Sequence, residues 1–265
     1  MNATALNTIQ INRRPDGVAF VTLARPQVHN AFNETMITEL TTAFQLLGDD
    51  PQVRAVVLRS EGKSFSAGAD LDWMKRMAGY GRTENLTDAR ALADLMRTLN
   101  FLPKPTIAAI QGAAYGGGVG LAACCDIAIA SDQASFSLSE VRLGLIPAVI
   151  SPYVIAAMGQ RAARRWFLSA ERFDATEALR WGLVHQVVAA DALESAVDEQ
   201  LARLLECAPL AQAAAKDLIF AVSDRSIDPD LIDETARRIA DIRAGAEGRE
   251  GIAAFLEKRK PGWGN

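Results

Sequence analysis

The sequence has little of the residues that metal and nucleophile chemistry draw on. Only two histidines, His29 and His185, stand in 265 residues. That is too few for a histidine-built metal cluster, and it leaves a Ser-His-Asp arrangement almost nothing to choose from. Three cysteines, Cys124, Cys125 and Cys207, make no disulfide framework. Two of them are adjacent in an apolar run, as small buried residues are, and free thiols point to a reducing, cytoplasmic setting. Positive charge is not in excess: 28 Lys and Arg against 32 Asp and Glu leave a net charge of −4, which argues against nucleic acid as a main partner. No apolar run reaches the ~18 residues of a membrane span. The opening "MNATALNTIQINRRPDG" has neither the order of a secretory signal nor the Arg-rich pattern of a transit peptide.

What is present is a core-forming composition, 49% hydrophobic and 23% charged. "GVAFVTLARP" (17–26), "VRAVVLRSEG" (53–62), "PTIAAIQG" (105–112) and "DIAIAS" (126–131) read as strands. "NETMITELTTAFQLL" (33–47) spaces Met36, Ile37, Leu40, Phe44 and Leu47 as one helical face, with Asn33 placed to cap it. Helices are also predicted at about 84–101 and 151–169, and "ATEALRWGLVHQVV" (175–188) reads as helix, glycine cap and strand. From 191 to 258 the pattern is helical throughout, with "DRSIDPD" (224–230) as a linker. This order predicts an α/β core over 1–190 and a helical region over 191–265.

The segment "AYGGGVGLAACCDIAIA" (114–130) puts Gly116, Gly117, Gly118 and Gly120 at the start of a helix, where each glycine costs about 1 kcal/mol relative to alanine. Three readings compete. Gly118, Gly120 and Ala123 match a G-x-G-x-x-A dinucleotide fingerprint with Glu140 twenty residues on, but "QGAAYGG" separates the strand from the first glycine. The glycines can instead serve close packing and a tight turn. Or they open a helix N-terminus, with its unpaired N–H groups, to an anion or a transient oxyanion. "SFSAGAD" (64–70) has the same logic: a strand, a turn on Gly68, and a helix opened by Asp70. Two N–H donors from two turns are what an oxyanion hole needs.

In that combination the sequence resembles the crotonase, or enoyl-CoA hydratase/isomerase, family. "LARPQVHNAFN", "FSAGADLDWM", "GAAYGGGVGLAACCDIAIAS", "SEVRLGLIP" and "EALRWGLVHQVV" are similar to its motifs in order, over nearly the whole chain. The resemblance implies an α/β spiral of ββα units with a C-terminal helical trimerisation region, assembled as a homotrimer or dimer of trimers. It implies an acyl-CoA thioester substrate and no cofactor beyond the coenzyme A that the substrate carries. It places the thioester oxygen between the N–H groups of Ala67 and Gly117 and makes Glu140 the acid/base. Gly68, Ala69, Asp70, Leu71, Val28, Arg25 and Tyr115 fall in the implied substrate-binding segments, with Lys258 or Lys260 near the CoA phosphates.

One departure matters. Two-glutamate hydratases of the family carry their first glutamate three residues after the middle glycine, where this chain has Gly120. A carboxylate there would sit one turn from Gly117 on the same face. Its loss is expected to leave space beside the reacting carbons. Either Glu140 alone shuttles a proton, as in the family's isomerases, or the space admits a β-branched substrate that Glu140 hydrates with a bound water. "AGADLDWM", "CCDIAIAS" and "SEVRLGLIPAVISPYVIAAMG" resemble the bacterial methylglutaconyl-CoA or γ-carboxygeranoyl-CoA hydratase subgroup, which favours the second. The distal carboxylate of such substrates calls for a cation, and Arg142 faces Glu140's way if that stretch is extended. Tyr115 and Ser139 are candidates for a second proton donor. A non-catalytic acyl-CoA-binding protein is the non-enzymatic alternative. Asp126, Asp70, His185, Trp73 and Met77 each have an adequate reading as caps, braces or core.

Overall fold

The computed structural model describes residues 6–263. The reading of the N-terminal segment as carrying no signal rests partly on residues 1–5, and the tail's last two residues are 264–265; both lie outside the described residues. A hairpin of β1 (Ile9–Arg13) and β2 (Val18–Leu23) leads to α1 (Glu34–Asp49). The Asn33 side chain accepts the Met36 N–H at 2.9 Å. The predicted stripe of Met36, Ile37, Leu40, Phe44 and Leu47 is buried.

The chain then winds in turns that each leave one strand in each of two sheets. The first turn is β3 (Ala55–Ser60), β4 (Ser64–Ser66), α2 (Leu71–Met77) and α3 (Arg82–Asn100). The second is β5 (Thr106–Ile110), β6 (Ala113–Tyr115) and α4 (Gly117–Cys124). The third is β7 (Ile127–Ser131), β8 (Ser135–Ser137), a 3-10 turn over Glu140–Leu143 and α5 (Ser151–Ser169). β9 (Arg172–Asp174), α6 (Ala175–Arg180) and β10 (Gln186–Val188) complete the spiral. The large sheet has the order β1-β2-β3-β5-β7-β10 and is parallel from β2 onward. The small sheet is β4-β6-β8-β9, with β4, β6 and β8 parallel. The near-continuous apolar runs of β3, β5 and β7 are what parallel strands covered on both faces require.

One face of the large sheet meets α1, α3 and α4. The other meets α7 (Leu193–Leu205), which packs Leu193, Val197 and Leu201 on Val18, Val57, Ile107 and Ile129. The helical C-terminal region thus begins with a helix that completes the sheet's cover. After it come α8 (Pro209–Val222), α9 (Pro229–Ala244) and α10 (Ala246–Leu256). Asp126 joins α8 to the sheet: its Oδ2 accepts from Thr106 N–H at 2.8 Å and from Lys216 Nζ at 2.9 Å. That is the bracing role expected of it. His185 also serves structure, with Nδ1 accepting the Ala128 N–H at 3.0 Å just ahead of β10.

Several local bounds differ from expectation: the strands predicted over 17–26 and 105–112 end at Leu23 and Ile110. The strand predicted over 53–62 ends at Ser60, and the chain turns at Gly62 to enter β4 in the other sheet. The helix over 151–169 is interrupted at Gly159, where φ is 77°.

Candidate active site

The parallel strands β4, β6 and β8 end side by side, and the segment following each contributes to one site. Ligand sites lie at the carboxyl ends of parallel strands because the chain must leave the sheet there by turns with free backbone groups. Here the three exits are 67–70, 116–118 and 138–140. Gly116 has φ 50° and Gly68 has φ 92°, a region that non-glycine residues enter only with strain. A side chain at Gly116 would meet Glu140 Oε1 at 3.1 Å and Gly68 Cα at 3.9 Å. The three exits therefore converge on one point.

Glu140 brings a carboxylate there. Its Oε2 is buried without a hydrogen-bond partner among the described residues. Burial pushes the carboxyl above the usual glutamate range, because an ion without compensating partners loses its hydration. No cation pairs with it among the described residues. A carboxyl largely withdrawn from water and without a partner is a poor structural device and a candidate proton carrier.

The donors are backbone N–H groups. Gly117 is the first residue of α4, so its N–H has no acceptor within the helix. It is partly accessible, while Gly116 and Gly118 on either side are buried. The second donor is not Ala67. The Ala67 N–H is held by the carbonyl of His29 at 3.0 Å, so it is unavailable to a ligand. Ala69 takes its place. Phe32 N–H donates to Gly68 O at 2.7 Å and Asp70 N–H donates to Phe32 O at 2.8 Å, the two bonds of a parallel bridge between Phe32 and Ala69. In that pairing Ala69's own N–H points away from Phe32; it has no partner among the described residues and Ala69 is exposed. Both donors thus follow directly on a glycine of positive φ, Gly68 before Ala69 and Gly116 before Gly117. Phe32, which the sequence reading passed over, ties the two: its backbone fixes Ala69, and its ring would lie 3.0 Å from a Cβ at Gly117.

Other expected site residues are placed differently. Gly120 does not face empty space. A Cβ there would fall 2.2 Å from Ile150 Cγ2 and 3.2 Å from Met96 Cε, so the space vacated by the missing carboxylate is filled by Ile150. Arg142 does not share Glu140's face: 140–143 is a 3-10 turn, not a strand, and with three residues per turn positions i and i+2 diverge. Arg142 is exposed on the rim. Arg25 and Asp70 are consumed by each other. Arg25 Nη2 donates to Asp70 Oδ2 at 2.7 Å and Nη1 to Ala31 O at 2.7 Å, while Asp70 Oδ1 caps α2 through the N–H of Asp72 at 2.8 Å. Burial opposes ionisation of Asp70, but Arg25 and the capping N–H groups outweigh it and hold the carboxyl below the usual range. The pair braces the loop that carries Ala69.

Tyr115 turns its side chain off the site. Ala114 is buried opposite Phe136, so Tyr115, one residue on, emerges from the other face of the small sheet. Its hydroxyl meets Ser135 Oγ at 3.1 Å and its ring lies under Arg172. That removes it as a proton donor. Ser139 precedes Glu140 with a hydroxyl that makes no capping bond. Val28 is half-buried in the loop beneath, and Leu71 is exposed at the start of α2. Trp73 is buried with its indole N–H on Asp88 Oδ2 at 3.0 Å, and Met77 packs against the same core. Lys258 and Lys260 are exposed beyond α10. The Cys125 thiol is pushed up to about 12 by burial, so it is inert. Among the described residues no cluster of His, Cys, Asp or Glu could hold a metal, and no helix is long and apolar enough to cross a membrane.

Two accessible N–H donors beside one unpaired carboxylate form a site for polarising a carbonyl and moving a proton next to it. Comparison with known proteins agrees. Residues 13–265 match the family model for enoyl-CoA hydratase/isomerase. A putative enoyl-CoA hydratase of Thermus thermophilus is 36% identical over 247 residues, 92% of this chain and 96% of that one. The 2,3-dehydroadipyl-CoA hydratase of Escherichia coli is 32% identical over 250 residues, 94% of this chain and 95% of its own. The crystal structure of an enoyl-CoA hydratase from Shewanella pealeana superposes with a TM-score of 0.94 at 48% identity, covering 97% of this chain and 96% of that one. The chain belongs to the enoyl-CoA hydratase/isomerase family, with the α/β spiral of that family.

Proposed function

We propose that this protein is an enoyl-CoA hydratase that works with one carboxylate. The observation that carries the reading is the unpaired Glu140 carboxylate set against the free N–H groups of Ala69 and Gly117. The thioester oxygen of a conjugated enoyl-CoA accepts from both N–H groups, which draws electron density from the β-carbon. Glu140 takes a proton from a water as the water oxygen bonds to that carbon. The π electrons move onto the thioester oxygen, giving an enolate that the two donors stabilise. The protonated Glu140 then returns the proton to the α-carbon, which restores the carboxylate. One water is added and no cofactor beyond the substrate's own coenzyme A is called for.

For the acyl group the reading is a β-branched chain ending in a carboxylate, such as 3-methylglutaconyl-CoA. Its support is the resemblance of the segments around Ala69, Cys125 and Glu140 to that subgroup, together with a relative named for a dicarboxylic acyl-CoA. It draws no support from Gly120, since Ile150 fills the space there. For assembly the reading is a homotrimer or dimer of trimers; the large apolar side chains left exposed on α8 and α10, among them Leu210, Ile219 and Phe255, support association with further copies. A cytoplasmic setting is supported by three free cysteines.

The test is to offer 3-methylglutaconyl-CoA, crotonyl-CoA and a 3-enoyl-CoA side by side and follow water uptake. Hydration of the conjugated substrates, fastest for the branched one, supports the proposal. Double-bond migration without water uptake makes the protein a Δ3,Δ2-enoyl-CoA isomerase. Tight binding of CoA esters with equal inertness of wild type and Glu140→Gln makes it a non-catalytic acyl-CoA-binding protein.

A further inference from the structure

Gly120 and Ile150 fit each other too closely to be independent. Gly120 lies inside α4, and any side chain would begin 2.2 Å from Ile150 Cγ2 and 2.9 Å from its Cβ. Ile150 has little room to yield. It is 2% exposed, it opens α5 with its carbonyl bonded to the Val154 N–H at 3.1 Å, and its β-branch restricts χ1. Helical side chains slant toward the N-terminus and lie over the preceding turn. A carboxylate at 120 would therefore reach back over Gly116 and Gly117, to the place where Glu140 Oε1 stands 3.1 Å from the Cβ position of Gly116. The Ile150 side chain stands at the root of that path.

We propose that Ile150 is a positioning residue that holds the place of a second acid/base carboxylate beside Glu140, and that Gly120 is glycine because it must admit Ile150. The two positions form one unit that decides between one-carboxylate and two-carboxylate chemistry. This rests on Glu140 being the acid/base of the proposed reaction.

The experiment is a mutant cycle read by melting temperature and by the pH profile of kcat/KM on crotonyl-CoA. Gly to Ala inside a helix ordinarily stabilises. Here Gly120→Ala is expected to lower the melting temperature by about 5–10 °C through overpacking. In the Ile150→Gly background, which also removes the Cβ that would stand 2.9 Å away, the same change is expected to raise it. Ile150→Gly alone is expected to keep the single-ionisation profile of the wild type, since it opens the space without adding a carboxylate. Gly120→Glu is expected to lose the folded state, and Gly120→Glu with Ile150→Gly to regain it and add a second ionisation to the profile. A neutral or stabilising Gly120→Ala in the wild-type background overturns the pairing. A double variant that does not recover the fold, or that keeps a single-ionisation profile, overturns the exchange. A wild type inert toward enoyl-CoA would overturn the hydratase reading instead, and the melting temperatures would still decide the pairing.

Discussion

Replacing Glu140 by glutamine separates two consequences of burying an unpaired carboxylate. Catalysis loses its proton carrier, and kcat on an enoyl-CoA should fall about 10²–10⁴-fold. Stability should move the other way, with a pH dependence fixed by sign. The folded-state pKa of Glu140 lies above its ordinary value because of burial. Below the ordinary value both states are protonated and folding carries no ionisation penalty. As pH rises through the raised folded value, the native state must either desolvate a charge or keep a proton that the unfolded chain releases, so stability is lost. Each pKa unit of the shift amounts to about 1.4 kcal/mol at the high-pH plateau. For a domain of this size each kcal/mol is about 2–4 °C of melting temperature. Glutamine removes the ionisation. Glu140→Gln should therefore melt with the wild type near pH 4 and above it near pH 8, the gap opening between. Thermal denaturation across that range is the assay. A variant that melts below the wild type at the upper end, or by a constant margin throughout, would show that the carboxylate is satisfied in the native state, and the site would lose its base.

Other perturbations follow from the same geometry. Arg25→Ala and Asp70→Ala should each destabilise by about 3–5 kcal/mol, since each strands a buried charge, and the double variant should cost much less than their sum in denaturant unfolding. Gly117→Ala sets a Cβ 3.0 Å from the Phe32 ring; it should displace the donor and reduce kcat toward the ~10²-fold loss of a missing oxyanion donor, with the fold intact by circular dichroism. Arg142→Ala and Tyr115→Phe should leave kcat/KM on crotonyl-CoA within about twofold of wild type, as neither side chain faces Glu140.

Much of this fold was legible in the sequence because the relevant signals are local. The apolar stripe of α1, the Asn33 cap, the β-branched runs of β3, β5 and β7, and the turns on Gly68 and Gly116 are each set by a few neighbouring residues. Glu140 was singled out by the likeness of "SEVRLGLIP" to a family motif and not by its neighbours, since Arg142 stands two residues on. The errors share a different cause. Choosing Ala67 over Ala69 turned on which N–H His29 and Phe32 already occupy, and those partners lie more than thirty residues away in sequence. One internal regularity would have resolved it: each donor is the residue after a left-handed glycine. Reading Gly120 as open space failed because absence of a side chain says nothing of what moves in, and Ile150 comes from another helix. Arg142 was misplaced because the stretch after Glu140 closes into a 3-10 turn around Gly144 rather than extending.

The central claim is that Glu140, with the N–H groups of Ala69 and Gly117, adds water to a conjugated enoyl thioester. The most direct measurement is mass spectrometry of the product formed from crotonyl-CoA in water labelled with heavy oxygen, for the wild type and for Glu140→Gln. The account predicts a 3-hydroxyacyl-CoA carrying one labelled oxygen from the wild type and almost none from the variant. An isomerised product without label, or equal labelling by both proteins, would contradict it.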